Sequence, residues 1–118
     1  SNKFENVGDY KVFINQVSMD TVDDIRNVAI NSINNGVVDY IYLISQIESK
    51  FVIVAMKNEK VIKDMNVSEL VLETSKNFGG GASKDQVLSV GGGPNDYSID
   101  ETLKYVKESI VNNIKWKT

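Results

Sequence analysis

Apolar and polar residues occur in blocks along the chain, and these blocks predict strands that alternate with helices. Three runs rich in β-branched and aromatic residues predict strands at Tyr10–Val17, Tyr40–Ser45 and Phe51–Met56. The second and third runs are almost continuously apolar, which is typical of central strands covered on both faces. The segment Glu48-Ser49-Lys50 between them predicts a hairpin turn.

Apolar residues at helical spacing predict two helices in the first two thirds of the chain. The first runs from Thr21 to Asn34, with Ser18 and Asp20 as its candidate N-caps. The second follows Asn66, which precedes Glu69 by three residues as in a variant of the capping box, and continues to Phe78, where a run of three glycines ends it.

The last third of the chain predicts one short strand and one long helix. The strand is Gln86–Val90, and Gly91-Gly92-Gly93-Pro94 after it predicts a loop. Ser98 and Glu101 have the spacing of a capping box before an apolar stripe that extends from Ile99 to Ile114. The resulting order, β-α-β-β-α-β-α, predicts an α+β fold (an α/β sandwich) with a mixed sheet and helices packed on it.

The 118 residues suffice for one domain. Residues 1–9 are polar without a clear period, so we predict a polar leader there and a single domain over residues 10–118. The Ser1-Asn2 start is typical of an expression-tag remnant, and we expect the chain to be an excised part of a longer protein.

The chain has no cysteine and no histidine, which excludes several kinds of chemistry. Disulfides, Cys or His zinc sites, thiolate nucleophiles and imidazole bases are all ruled out. Carboxylates, Lys, Tyr and Ser remain available for catalysis, as do hard metals bound by carboxylates. The composition favours binding over chemistry, and we predict no catalytic residue, no metal ligand and no cofactor in this chain. No apolar run reaches membrane-spanning length and no signal peptide is seen, so we expect a cytoplasmic protein without membrane contact.

The net charge of −3 is unlike the basic excess of a strong nucleic-acid binder. The first 59 residues hold 5 basic and 8 acidic groups, and the remainder holds 8 of each. Any basic patch must therefore arise locally, in the second half of the chain.

Two glycine clusters, Gly79–Gly81 and Gly91–Gly93, bracket the short strand of the second half. One interpretation is that they expose bare backbone N–H groups that hold a phosphate, with Lys84 adding a positive charge. The other is that the glycines serve only tight turns and close packing. Both interpretations remain open at the level of sequence.

Further along, Lys104 and Lys107 share one face of the last helix, either as phosphate contacts or as part of a solvated surface. The terminal Lys115-Trp116-Lys117 combines charge with an aromatic ring, which serves base stacking or simply anchors the helix.

The segment Phe78-Gly79-Gly80-Gly81-Ala82-Ser83-Lys84-Asp85-Gln86-Val87-Leu88-Ser89-Val90-Gly91-Gly92-Gly93-Pro94, followed by a helix, resembles the C-terminal domain of alanyl-tRNA synthetases, also called the DHH-associated domain. Its closing Gly-Gly-Gly-Pro is most similar to the archaeal-type enzymes. The order of elements from Tyr10 to Ile114 also matches. The chain departs from the family pattern before the second cluster, where Ser89-Val90 replaces the usual Ala-Gln.

The resemblance implies a non-catalytic module that contacts the tRNA elbow and supports aminoacylation and editing. It implies alanine-specific tRNA and the rest of the synthetase chain as partners, homodimerisation through the parent, and a parent alanine–tRNA ligase that uses ATP, Mg and zinc. On this basis we predict an RNA-binding surface made of Gly79, Gly80, Gly81, Lys84, Gly91, Gly92, Gly93, Lys104 and Lys107.

Two alternatives remain at this point. The first is a substrate- or nucleic-acid-binding accessory domain of a DHH-family phosphoesterase, although that branch typically carries a histidine beside its glycines and this chain has none. The second is a dimerisation module that uses an exposed strand edge or the last helix.

Overall fold

The computed structural model describes residues 4–117, with side chains described as far as residue 113. Within this range it contains a mixed sheet and three helices, so the predicted α+β class is confirmed. The elements are β1 (Glu5–Val7), β2 (Tyr10–Gln16), α1 (Val22–Asn34), β3 (Tyr40–Ile47), β4 (Lys50–Lys57), α2 (Val67–Asn77), β5 (Leu88–Gly93) and α3 (Ile99–Lys117).

The five strands form one sheet in the order β1-β2-β3-β4-β5. Strands β2 and β3 are parallel, which requires a crossover, and α1 supplies it. All other neighbours are antiparallel. The hairpin between β3 and β4 is confirmed, with its turn at Glu48 and Ser49, and Glu48 adopts a left-handed φ of 58°.

Helices cover both faces of the sheet, which accounts for the continuously apolar β3. One face packs against α1 through a cluster of small and branched side chains: Ile25, Ala29, Ile33, Val38, Ile41, Leu43 and Val54. The other face packs against α2 and α3 through a larger cluster that includes Tyr40, Tyr42, Ile53, Val71, Phe78, Val106 and Ile110. Alternate residues of β3 therefore serve opposite cores.

At the start of the chain, the structure differs from two predictions. Residues 1–9 were predicted as a polar leader, but Glu5–Val7 pairs with β2 as an antiparallel edge strand. Only Val7 of this strand is buried, so three residues offered no periodicity to detect. The N-cap of α1 is Thr21, whose Oγ1 accepts the Asp24 N–H at 3.1 Å, and neither Ser18 nor Asp20 has this role.

The second glycine cluster is strand rather than loop. Strand β5 begins at Leu88 and extends through Gly93, where Gly91, Gly92 and Gly93 pair with β4 from Ile53 back to Phe51. Backbone pairing holds these residues in the sheet without any side chain, and for that reason composition alone predicted a turn.

The predicted caps of the other two helices are confirmed. Asn66 Oδ1 accepts the Ser68 N–H at the start of α2, and Ser98 Oγ accepts the Glu101 N–H at the start of α3. Among residues 4–117, no helix combines the length and the apolar character needed to cross a membrane. The Ser1-Asn2 start lies outside the described residues, as does the side chain of Ile114.

Candidate nucleic-acid interface

The two glycine clusters meet where the segment after α2 runs beside β5. A Cβ on Gly80 would stand 1.8 Å from the Gly92 carbonyl oxygen, and one on Gly93 would stand 2.2 Å from the Phe78 carbonyl oxygen. Both distances are far below van der Waals contact, so backbone passes directly against backbone. Glycine is required here because no side chain fits between the two segments.

The first cluster also ends helix α2. Gly79 has a φ of +79°, its N–H donates to the Lys76 carbonyl at 3.0 Å, and the Gly80 N–H donates to the Ser75 carbonyl at 3.1 Å. This pair of hydrogen bonds is the Schellman arrangement, which satisfies the last carbonyls of a helix. The glycine run thus has a specific local cause.

Ser75 joins the two clusters from inside the core, and the sequence analysis missed it. It is fully buried, and its Oγ accepts the Gly92 N–H at 2.8 Å. A Cβ on Gly91 would stand 2.3 Å from the same oxygen. The available signal was a serine on the apolar face of α2, between Val71 and Phe78, where a buried hydroxyl must have a partner.

These contacts correct the prediction of bare backbone N–H groups. The N–H groups of Gly79, Gly80 and Gly92 are all hydrogen-bonded within the domain. The interpretation based on turns and close packing is confirmed for Gly79, Gly80, Gly91, Gly92 and Gly93. Gly81 differs, because it is exposed, has no positive φ, and has no atom within 4 Å of its Cβ position.

Beyond Gly81, residues 82–85 run along the outer edge of β5, and we call this segment the ledge. Ser83 and Val90 exchange two hydrogen bonds, since the Ser83 N–H donates to the Val90 carbonyl and the Val90 N–H donates to Ser83 Oγ. Ser89 Oγ donates to the Ser83 carbonyl at 2.7 Å. The ledge therefore covers the edge strand and is held firmly against it.

Lys84 and Asp85 project from this ledge. The Lys84 side chain is exposed and forms no hydrogen bond or ion pair with the residues described. Asp85 Oδ1 accepts the N–H groups of Val87 and Leu88 at 2.8 and 3.0 Å. Hydrogen bonds from Leu88 and Val87 lower the pKa of Asp85 below its ordinary value of 3.8.

On the other side of Gly81 from the ledge, Asn95 and Tyr97 flank Gly79. The Asn95 N–H donates to the Phe78 carbonyl at 2.8 Å, and its side chain occupies the space where a Cβ on Gly79 would lie. The Tyr97 ring packs edge-to-face on Phe78 with centroids 5.6 Å apart and stays 41% exposed. Tyr97 was not among the predicted site residues, although it is an aromatic residue shortly after the glycine-proline step.

We call the surface made by Gly79–Lys84, Asn95 and Tyr97 the glycine strip. It combines backbone without side chains, the Lys84 ammonium group, which has no partner among the residues described, and the exposed ring of Tyr97. Its acidic neighbours are Asp85 and Asp96, both exposed. The strip thus has the elements of a surface for single-stranded nucleic acid, namely a cation and a stacking ring, without a large positive field.

Lys107 is not gathered around the strip. Lys107 Nζ lies 3.2 Å from Glu5 Oε1, in an ion pair whose two side chains are each 42% exposed. Glu5 belongs to β1, the sheet edge opposite β5, roughly 19 Å away at the usual strand spacing. Lys104 is exposed on the same helix. The side chains of Lys115-Trp116-Lys117 lie outside those described.

Among the comparisons with known proteins, the one with solved structures finds a match. No family model and no curated protein matches the chain. Among solved structures, the crystal structure of the C-Ala domain from Aquifex aeolicus alanyl-tRNA synthetase is similar, with a TM-score of 0.77 and 25% sequence identity. The match covers 90% of this chain and 96% of that domain, so the similarity includes nearly the whole of both folds.

Proposed function

We propose that this chain is a tRNA-binding accessory domain of an alanyl-tRNA synthetase. The observation that carries the proposal is the match to the C-Ala domain over 90% of this chain with a TM-score of 0.77. In this proposal the parent is an alanine–tRNA ligase of the archaeal type that acts in the cytoplasm with ATP, Mg and zinc. The domain itself performs no chemistry, in keeping with a chain that has neither histidine nor cysteine.

The proposed RNA contact is the tRNA elbow, and the glycine strip is its surface. The elbow is a folded RNA shape with unstacked loop bases, which proteins bind by stacking and by contacts to exposed backbone. Tyr97 offers the stacking ring, Lys84 offers a phosphate contact, and the open side of Gly81 lets RNA approach the main chain closely. This contact would support aminoacylation and editing by the parent.

The net charge of the domain favours an accessory role in RNA binding and argues against tight RNA binding by the domain alone. A net charge of −3 gives no long-range attraction for RNA, and a few lysines release few counterions. We therefore expect the isolated domain to bind alanine tRNA weakly, with an affinity that falls as salt rises. The rest of the synthetase chain, and a second copy of the parent, would raise the effective affinity.

The test compares two RNAs with the isolated domain at low salt. One is full-length alanine tRNA, and the other is a minihelix that keeps the acceptor stem and lacks the elbow. The proposal predicts measurable binding to the tRNA and clearly weaker binding to the minihelix. Equal binding to both, or binding to neither, would contradict the elbow contact. Synthetase core and editing motifs in the gene upstream would support the parent assignment.

A further inference from the structure

An open groove of about 560 Å³ runs between helices α2 and α3. Helix α2 packs on β4 and β5, whereas α3 packs on β1 and β2, so the two helices flank the central strand β3. One wall of the groove comes from the α2 residues between Glu69 and Lys76, and the other comes from the α3 residues between Tyr105 and Asn113. No residue of the glycine strip lines it.

Two large side chains in this groove are exposed. Leu72 is 40% exposed and Tyr105 is 45% exposed. Leu72 points away from the core, which α2 contacts through other residues such as Val71. The Tyr105 hydroxyl donates to Glu73 Oε2 at 2.6 Å, which joins the two walls. Single exposed apolar residues are normal on a protein surface, so the charges beside them must show whether a partner covers this face.

Charged side chains flank Leu72 on the same side of α2. Glu69, Leu72, Glu73 and Lys76 are at positions i, i+3, i+4 and i+7, and all four are exposed. We call this set the α2 face. Glu69 and Glu73 are like charges one turn apart, an arrangement that destabilises an isolated helix. Neither Glu69 nor Lys76 forms an ion pair within the part of the chain that the structure describes.

The α2 face is complementary in charge to a reversed copy of itself. Glu69 lies about 4.5 Å before Leu72 along the helix axis, and Lys76 lies about 6 Å after it. When a second α2 crosses the first in the antiparallel direction, with Leu72 near the two-fold axis, Glu69 of each copy faces Lys76 of the other. This pairing uses one surface twice, as in most homodimers. It also brings the two exposed leucines together.

We propose that the α2 face, with the groove beside it, binds a second copy of this chain in an antiparallel two-fold arrangement. Leu72 of each copy enters the groove of the other, where Ser109 and Asn112 of α3 leave room for it. Two Glu69–Lys76 pairs flank the leucines and set the direction, because a parallel arrangement would oppose like charges.

The proposed contact is small and partly electrostatic. We therefore expect a weak dimer that dissociates further as salt rises. The contact does not depend on RNA binding at the glycine strip, and it differs from any dimerisation through another part of the parent chain.

The first experiment is sedimentation equilibrium of the domain at low salt, from about 10 μM to about 1 mM. We expect a dimer fraction that increases with protein concentration and decreases when salt is added. A monomer throughout this range would overturn the proposal.

Charge reversal tests the pairing itself. Glu69→Lys and Lys76→Glu should each weaken self-association by at least about tenfold, because both pairs of the symmetric dimer then oppose like charges. An equal mixture of the two variants should associate again, since every pair in the mixed dimer joins opposite charges. A mixture that stays monomeric at concentrations where the native chain is dimeric would overturn the proposal.

Two further variants separate this contact from a general effect of charge. Leu72→Gln should weaken association several-fold and leave the urea midpoint of the dilute, monomeric protein almost unchanged, because the side chain is exposed. Lys60→Glu makes the same charge change as Lys76→Glu at an exposed position outside the groove, and it should leave association unchanged. Equal losses from the two lysine variants, or association that no α2 variant changes, would overturn the proposal.

Discussion

Gly80 and Gly81 are neighbours of the same type, yet the structure assigns them opposite roles. We predict that Gly80→Ala destabilises the domain by about 2 kcal/mol or more, because its Cβ would stand 1.8 Å from the Gly92 carbonyl oxygen. Gly81→Ala should change the free energy of unfolding by less than about 0.5 kcal/mol, because nothing lies within 4 Å of its Cβ position. Urea denaturation of both variants checks this pair. Equal effects would contradict the close approach of the two clusters.

Lys84 is the cation of the glycine strip, and its substitution separates binding from stability. We predict that Lys84→Ala weakens binding to alanine tRNA several-fold and leaves the urea midpoint unchanged, since the side chain is exposed and unpaired among the described residues. The matched control is Lys11→Ala, an exposed lysine on β2, which is three strands away from β5. Equal losses from both variants would indicate non-specific attraction. Filter binding or fluorescence anisotropy at low salt measures the difference.

Asp85 makes the stability of the ledge depend on pH. Hydrogen bonds from Leu88 and Val87 lower the pKa of Asp85 in the folded domain below 3.8, its ordinary value. The ionised carboxylate therefore adds to the free energy of unfolding above pH 3.8, and this stabilisation is lost as pH falls through the folded pKa. We predict that Asp85→Asn is less stable than the parent chain at pH 7 and that the difference shrinks near about pH 3. Urea midpoints at both pH values check this, with Asp96→Asn as the exposed control. A difference that grows on acidification would contradict the assignment.

At the level of elements, most of the fold was predictable because it follows from local pattern. The β-branched runs and the helical stripes identified every element except β1, and the caps Asn66 and Ser98 were found from side-chain chemistry alone. The exceptions are strands held by backbone pairing. Neither β1 nor the glycine half of β5 carries a side-chain pattern, because their partners across the sheet supply the stabilisation.

The candidate site was predictable only in part, for a related reason. The glycine clusters and Lys84 were evident from composition. The long-range contacts were not, since Ser75 reaches Gly92 across 17 positions of sequence and Tyr97 reaches Phe78 across a strand. The bare N–H groups expected from glycine content are satisfied by the same contacts that bring the two clusters together.

On helix α3, Lys107 lies at the β1 edge of the sheet and not at the glycine strip. Lys107 forms an exposed ion pair with Glu5 on β1, which is worth about 1 kcal/mol at most and is screened by salt. We predict that Lys107→Ala lowers stability by no more than that and reduces tRNA affinity less than Lys84→Ala does. Denaturation and tRNA titration of the two variants test this. A larger loss of affinity from Lys107→Ala would mean that RNA contacts the β1 edge.

At the scale of the whole molecule, the two ends of the sheet have different character. The end with the C-terminus of α2 and the N-terminus of α3 bears Gly79 and Tyr97, and the glycine strip runs from there along β5 to Lys84. The opposite end, where β2 and β3 begin, has a cavity of about 350 Å³ whose charged lining residues are Lys63, Asp64 and Glu69. A domain with a net charge of −3 can approach RNA only in an orientation that turns its acidic surfaces away, and the strip offers one.

The most direct test of this account is the footprint of tRNA on the domain. Backbone amide signals of the isotope-labelled chain are followed by NMR while unlabelled alanine tRNA is added at low salt. We predict that the largest changes fall at Gly81, Ser83, Lys84 and Tyr97, and that raising the salt reverses them. Changes confined to residues 61–67, to α1 or to the β1 edge, with the glycine strip unaffected, would contradict the account.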